Sequence, residues 1–276
     1  MNQKPGLLID CNALRSLQED RSCILVDTRG EPEYLEAHIP GAINLPSNDL
    51  FDMDTAGLDL LPVPEIQNTV RRVGIDQDTH LVLYDDSGLI PSARVFWVLE
   101  SLGRSSMSLL NGGFPAWVAS TGPTEAGRTR SDAVRGNGTP FVPLAEHGAV
   151  ATRDDVLAAT HEPAHLIIDA RSEDEYHGRM NVHTRNGHIP TAVHLDWQDN
   201  IEDLFNPLFR PPETLRKRYT DAGSDTASQI ITYCRTGSRS SHTYFTLRML
   251  GYTNVRNYSG SWMEWSEDPS LPVETG

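Results

Sequence analysis

Four short apolar runs punctuate the chain: "CILVD" (23–27), "HLVLYD" (80–85), "HLIIDA" (165–170) and "QIITYC" (229–234). Such runs, rich in β-branched residues and lacking polar alternation, predict strands buried on both faces. Segments of helical character lie between them. "SARVFWVLESLG" (92–103) and "SSHTYFTLRMLG" (240–251) predict helices that stop at Gly103 and Gly251. Buried strands alternating with helices predict an α/β fold with a doubly wound parallel sheet, helices on both faces. In such sheets ligands bind beyond the carboxyl ends of the strands.

The pattern occurs twice. "ILVDTRGEPEYLEAHIPGAINLP" from Ile24 lies over "LIIDARSEDEYHGRMNVHTRNGHIPTAVHLDW" from Leu166, pairing Asp27 with Asp169, Arg29 with Arg171 and Tyr34 with Tyr176. His38 then pairs with His188 at an offset larger by eight residues, so the second copy carries an insertion. "LVLYDDSGLIPSARVF" (81–96) lies over "IITYCRTGSRSSHTYF" (230–245), and "GGFPAW" at Gly112 over "GSWMEW" at Gly260. Blocks matching in the same order imply two homologous domains. The expected boundaries are residues 1–122 and 149–276, with a linker at 123–148 rich in glycine, proline and small polar residues.

Hydrophobic residues at 38% and charged residues at 22% fit a folded chain rather than a disordered one. A formal net charge of −15 disfavours nucleic acid and anionic membranes as partners, so any anion chemistry needs a local cluster of positive charge. No apolar run approaches a membrane span and no secretory start is evident, which points to a cytoplasmic protein. Three cysteines, Cys11, Cys23 and Cys234, form neither a disulfide framework nor a zinc pattern. The spacing of His177, His183, His188 and His194 also fits no common ligand set, and no metal is expected.

Cys234 is set apart by its neighbours on the C-terminal side: Arg235, Thr236, Gly237, Ser238, Arg239 and Ser240. A strand–loop–helix turn directs unpaired amides inward, and Gly237 permits the positive φ that curls them into an anion nest. With two arginines added, a thiol there ionises far more readily than a free one. Cys234 is therefore expected to be a thiolate nucleophile. The first copy has Asp85 at the matched position and no arginine in the loop, so it carries the architecture without the chemistry.

The tandem halves, "HIPGA/HIPTA", the "GGFPAW/GSWMEW" ends and the cysteine loop together resemble the two-domain rhodanese family of sulfurtransferases, over nearly the whole chain. The resemblance implies an inactive N-terminal copy and a C-terminal catalytic Cys234. That cysteine would take sulfane sulfur from thiosulfate as a persulfide and pass it to cyanide or a dithiol, with no cofactor beyond the persulfide. Arg235 to Ser240 would be its cradle. Where some members carry a substrate-binding arginine just before the aromatic of the "DxR…Y" block, this chain has Glu175. Arg179 or Arg185, from the insertion, are candidates to replace that charge, and Arg185 joins the expected donor-binding set. "SEDEY" (172–176) otherwise reads as a solvated acidic helix start. The expected partners are a small anionic sulfur donor and a thiol or cyanide acceptor, with the chain a monomer. Two alternatives stay open, 3-mercaptopyruvate as the donor and a cysteine-dependent phosphatase or arsenate reductase. The latter needs five residues between cysteine and arginine, and Cys234 to Arg239 has four.

Overall fold

The computed structural model describes residues 5–129, 139–143, 148–180 and 183–276. Parts of the expected linker, 130–138 and 144–147, and Asn181 and Val182 of the insertion lie outside the described residues. The chain divides into two compact units. The first spans Met1–Asp52, Leu60–His147 and Asp203–Leu208; the second spans Met53–Asp59, Gly148–Glu202 and Phe209–Gly276.

In the first unit the elements run β1 (Leu8–Ile9), α1 (Cys11–Glu19), β2 (Cys23–Asp27), α2 (Glu31–Glu36), β3 (Ile43–Asn44), α3 (Val63–Arg72), β4 (His80–Tyr84), α4 (Ile90–Ser101), β5 (Met107–Leu110) and α5 (Gly113–Ala119). In the second they run β6 (Val150–Ala151), α6 (Arg153–Ala159), β7 (His165–Asp169), α7 (Glu173–Tyr176), β8 (Val193–His194), α8 (Pro212–Asp221), β9 (Gln229–Tyr233), α9 (Ser238–Met249), β10 (Val255–Tyr258) and α10 (Ser261–Glu267). The sheet orders are β1-β5-β4-β2-β3 and β6-β10-β9-β7-β8. Among the described residues every pair of these strands is parallel, and equivalent residues meet in both copies, Asp27 beside Tyr84 and Asp169 beside Tyr233. Each unit is thus the doubly wound sheet that its apolar runs predict.

The four apolar runs form β2, β4, β7 and β9, and their side chains are almost entirely buried. Burying one such Ile, Leu or Val contributes about 1.5–3 kcal/mol, which is why these runs become central strands. Both helix stops occur as expected, with Gly103 at φ +91° and Gly251 at φ +95°.

Helix α9 departs from the usual amphipathic pattern. Ser240 to Leu247 are all buried, although five of these eight are polar. Two hydroxyls fold back on the preceding turn, Ser241 Oγ donating to Gly237 O (2.6 Å) and Thr246 Oγ1 to His242 O (2.8 Å). Local bonding of this kind lets a polar helix enter a core. His242 stacks on Phe209 at 4.9 Å and meets the edge of the buried Trp197 at 5.4 Å. Burial holds His242 well below the ordinary histidine range, at about 3.

Candidate functional site

Cys234 follows directly on β9, the strand between β10 and β7, and four residues before α9 begins. Gly237 caps α9 with φ +79°. From behind, Thr232 Oγ1 donates to Ser240 O (3.2 Å) and Asn257 Nδ2 to Gly237 O (3.2 Å). With those carbonyls held at the back, the loop amides turn forward. The hydroxyl and amide of Ser240 and the amide of Thr236 all act to lower the Cys234 thiol. Ser240 Oγ is buried with no hydrogen-bond partner among the described residues.

The backbone of Cys234 is pinned as well. Its amide donates to Ser261 Oγ (3.2 Å), and its carbonyl accepts from Trp262 N (3.0 Å). Ser261 sits at φ +52°, a region that non-glycine residues seldom occupy. Its counterpart is Gly113, where an added Cβ would fall 2.2 Å from Asp85 O. The second copy accepts a strained serine and gains a hydroxyl for Cys234 N. Aligning the two motifs in sequence does not reveal this contact.

Burial alone would push the Cys234 thiol up, and the side chain is only 1% exposed. Arg239 and the donors from Ser240 and Thr236 outweigh it, so the thiol lies below its ordinary value. Cys23 is the internal control. Burial without such donors pushes its thiol up to about 11. The loop therefore makes the difference between a buried thiol pushed up and one brought below its ordinary value.

The first copy fills the same nest with its own side chain. Asp85 Oδ1 accepts from Ser87 N (2.7 Å) and Leu89 N (3.1 Å), and Oδ2 from Ser92 N (2.9 Å) and Ser92 Oγ (2.5 Å). A carboxylate tied to its own loop amides leaves them nothing to offer a ligand.

The structure sorts the expected site residues. Thr236, Arg239 and Ser240 are the residues that lower the Cys234 thiol. Gly237 shapes the turn, and Ser238 opens α9. Arg235 is exposed and carries no side-chain partner among the described residues. Arg239 makes a two-pronged ion pair with Glu175, Nη1 to Oε2 at 2.7 Å and Nη2 to Oε1 at 2.8 Å. The reading of "SEDEY" as solvated is thereby corrected for Glu175, while Glu173 and Asp174 are exposed as expected. Glu175 is also the third helical residue of a capping box with Ser172. Burial raises its carboxyl, but Arg239 and Ser172 bring it down to about 2.

Arg185 stands elsewhere. Its guanidinium donates to the carbonyls of Ser266 (3.0 Å), Leu271 (2.6 Å), Trp265 (2.7 Å) and Asp268. It closes the carboxyl end of α10, and the expected donor-binding role has no free edge to rest on. Arg179 pairs with Glu173 (2.9 Å) and Asp174 (3.3 Å). His188 stacks on Tyr176 at 3.7 Å, and His194 Nε2 meets Arg171 O at 2.8 Å. These histidines are structural. His183 has a buried Nε2 without a partner. Burial, with Arg235 and Arg171 nearby, holds that ring below the ordinary histidine range.

One substitution tests how tightly the turn is built. At Gly237 a Cβ would lie 3.0 Å from both Ser259 Cα and Ser259 O, with φ at +79°. Gly237→Ala is expected to cost about 1–2 kcal/mol and to slow alkylation of Cys234. Thermal unfolding and iodoacetamide kinetics check this, and an unchanged alkylation rate would show that the cradle does not depend on the turn.

A family model described as the Rhodanese-like domain matches residues 10–120 and again residues 152–268. A thiosulfate sulfurtransferase of Corynebacterium glutamicum is 34% identical over 254 residues, covering 88% of this chain and 81% of that protein. A thiosulfate sulfurtransferase of Azotobacter vinelandii is 30% identical over 270 residues, covering 97% of each. The sulfur carrier protein TtuD of Thermus thermophilus is 33% identical over 279 residues, covering 95% of this chain and 91% of that protein. Among solved structures, the anaerobic ergothioneine biosynthesis enzyme from Chlorobium limicola superposes with a TM-score of 0.83 at 22% identity. That likeness covers 100% of this chain and 72% of the other and is one of fold. With the domain present twice and such relatives along most of its length, the chain belongs to the rhodanese-like family of sulfurtransferases.

Proposed function

We propose that the protein moves sulfane sulfur from thiosulfate to a thiophilic acceptor, cyanide or a dithiol, through a persulfide on Cys234. One observation carries this reading: a buried thiol lowered by Arg239 and three loop donors, where the first copy has a carboxylate tied to its own loop amides. The Cys234 thiolate attacks the outer sulfur of thiosulfate. A new S–S bond forms, the S–S bond of thiosulfate breaks, and its electron pair leaves with sulfite. The donors that hold the thiolate then hold the terminal persulfide sulfur, whose negative charge sits in the same nest. Attack by the acceptor on that sulfur returns the thiolate.

The names of the relatives support thiosulfate as donor. Thiosulfate is expected to give a higher kcat/KM than 3-mercaptopyruvate in parallel assays, since two negative charges suit an arginine-rich mouth better than one. A phosphatase or arsenate reductase reading loses support from the Arg239–Glu175 pair, because the arginine that would wrap an oxyanion is already held by a carboxylate. Intact-mass measurement after incubation with thiosulfate tests the proposal. The expected result is a gain of one sulfur atom that cyanide removes, and a protein that gains no sulfur would sink it.

A further inference from the structure

Arg171 is the buried arginine of an Asp-x-Arg unit that occurs in both copies, and on two of its three edges the copies agree. In the first, Arg29 Nε lies 3.0 and 3.1 Å from the Asp27 oxygens, and Nη2 lies 2.6 Å from both Asp27 Oδ2 and Ala37 O. In the second, Arg171 Nε lies 3.0 Å from both Asp169 oxygens, and Nη2 lies 2.6 Å from Asp169 Oδ2 and 2.7 Å from Gly187 O. Each guanidinium also lies over an aromatic ring of the α5 or α10 motif, Phe114 at 4.2 Å and Trp262 at 4.5 Å. The third edge differs. Arg29 Nη1 donates to Asp86 Oδ2 at 3.2 Å. Arg171 Nη1 has no partner among the described residues, and the residue matching Asp86 is Arg235.

The positions of an internal ion pair in the first copy thus hold two like charges in the second, one of them next in sequence to Cys234. Fixing two guanidiniums near each other is unfavourable unless an anion joins them. The other arginines on this side are engaged, Arg239 by Glu175 and Arg185 by backbone carbonyls. Arg171 and Arg235 both act to lower the His183 ring.

We propose that Arg171 Nη1 and Arg235 form the oxyanion-binding pair for the donor, gripping its sulfonate oxygens while the outer sulfur faces Cys234. The identification of the anion as a sulfonate rests on the sulfur-transfer reading; the pair itself does not. As the thiolate displaces sulfite, the donor brings in two negative charges and sulfite carries two away, while the charge on Cys234 passes from thiolate to persulfide. The pair holds the departing dianion and no proton moves.

The test uses the full chain and two alkylating agents of similar size, iodoacetate, which carries a carboxylate, and neutral iodoacetamide. Rates at Cys234 are read by mass spectrometry of its peptide. Wild-type protein is expected to favour iodoacetate relative to a free thiol. Arg235→Asp recreates the first copy's ion pair, so the fold is kept while Arg171 is captured. Its iodoacetate-to-iodoacetamide ratio is expected to fall about ten-fold or more, and KM for thiosulfate to rise similarly with a smaller change in kcat. Arg235→Ala leaves the Arg171 edge exposed and is expected to fall between the two. A wild-type ratio retained in Arg235→Asp overturns the proposal, and equal ratios in Arg235→Ala and Arg235→Asp take Arg171 out of the site. If the ratio falls as expected in a protein that thiosulfate cannot persulfidate, the anion pair stands and the sulfur-transfer reading fails.

Discussion

Cys234→Ser is expected to remove persulfide formation altogether and to lower sulfur transfer by a factor of at least ~10⁴, while leaving the fold in place. The cradle would still surround the replacement atom, so the substitution separates what the sulfur does from what the loop does. A serine hydroxyl is far harder to ionise than a thiol, and oxygen cannot carry a sulfane sulfur as a stable, transferable intermediate. Structural cost should be small. The side chain already lies among polar donors, and the backbone bonds from Cys234 to Ser261 and Trp262 do not involve the sulfur. Cys11 and Cys23 serve as controls within the same protein. Burial holds Cys23 up to about 11, and neither belongs to a loop with converging amides. Residual transfer in Cys234→Ser that disappears only when Cys11 or Cys23 is also replaced would move the chemistry away from the second unit. The measurement is cyanide-dependent thiocyanate formation beside thermal unfolding of each variant.

The repeat made much of this architecture legible. Apolar runs with β-branched residues can satisfy burial on both faces only as central strands, and the same four runs became β2, β4, β7 and β9. The curl of the loop was legible for a similarly local reason: a glycine at the turn and a strand on one side fix where the amides point. What stayed hidden depends on partners far along the chain. Glu175 reads as a helix start because locally it is one, the third residue of a capping box. Its second bond, to Arg239, spans 64 residues and has no sequence signature. Arg185 looked like a spare cation because its acceptors are backbone carbonyls of residues 265–271, which carry no side-chain signal at all. Ser261 was aligned with Gly113 in the repeat, but only the backbone angle shows why a hydroxyl there meets Cys234 N. The exchange of Asp86 for Arg235 lies within the aligned blocks, but its meaning depends on the contact between Arg29 Nη1 and Asp86, which no sequence pattern carries.

Arg239→Ala and Glu175→Gln are expected to move the Cys234 thiol in opposite directions, although the two side chains form a single ion pair. After burial, Arg239 is the largest influence on the thiol and acts to keep it ionised. Removing it should shift the pH profile of iodoacetamide alkylation upward and slow the reaction at pH 7 by roughly ten-fold. Removing the carboxylate instead takes away a like charge and leaves Arg239 to act on the sulfur alone, so the profile should shift downward. Stability follows a different rule. Burial raises the Glu175 carboxyl, and Arg239 with Ser172 outweighs it, taking the carboxyl from the ordinary 4.5 to about 2. A carboxyl depressed in the folded state stabilises the protein above its unfolded value, and that contribution is lost as pH falls from about 4.5 towards about 2. After allowance for solvent screening it amounts to about 1–2 kcal/mol. Wild-type protein should therefore lose stability through that acid window, and both variants should lose less. Arg239→Ala should be the less stable of the two at neutral pH, since it strands a half-buried carboxylate, whereas the amide of Glu175→Gln can still accept from Arg239. Denaturant unfolding across pH, read beside the alkylation profiles, separates the cases. If both variants raise the thiol profile together, Arg239 acts by holding the loop closed rather than by its charge on the sulfur.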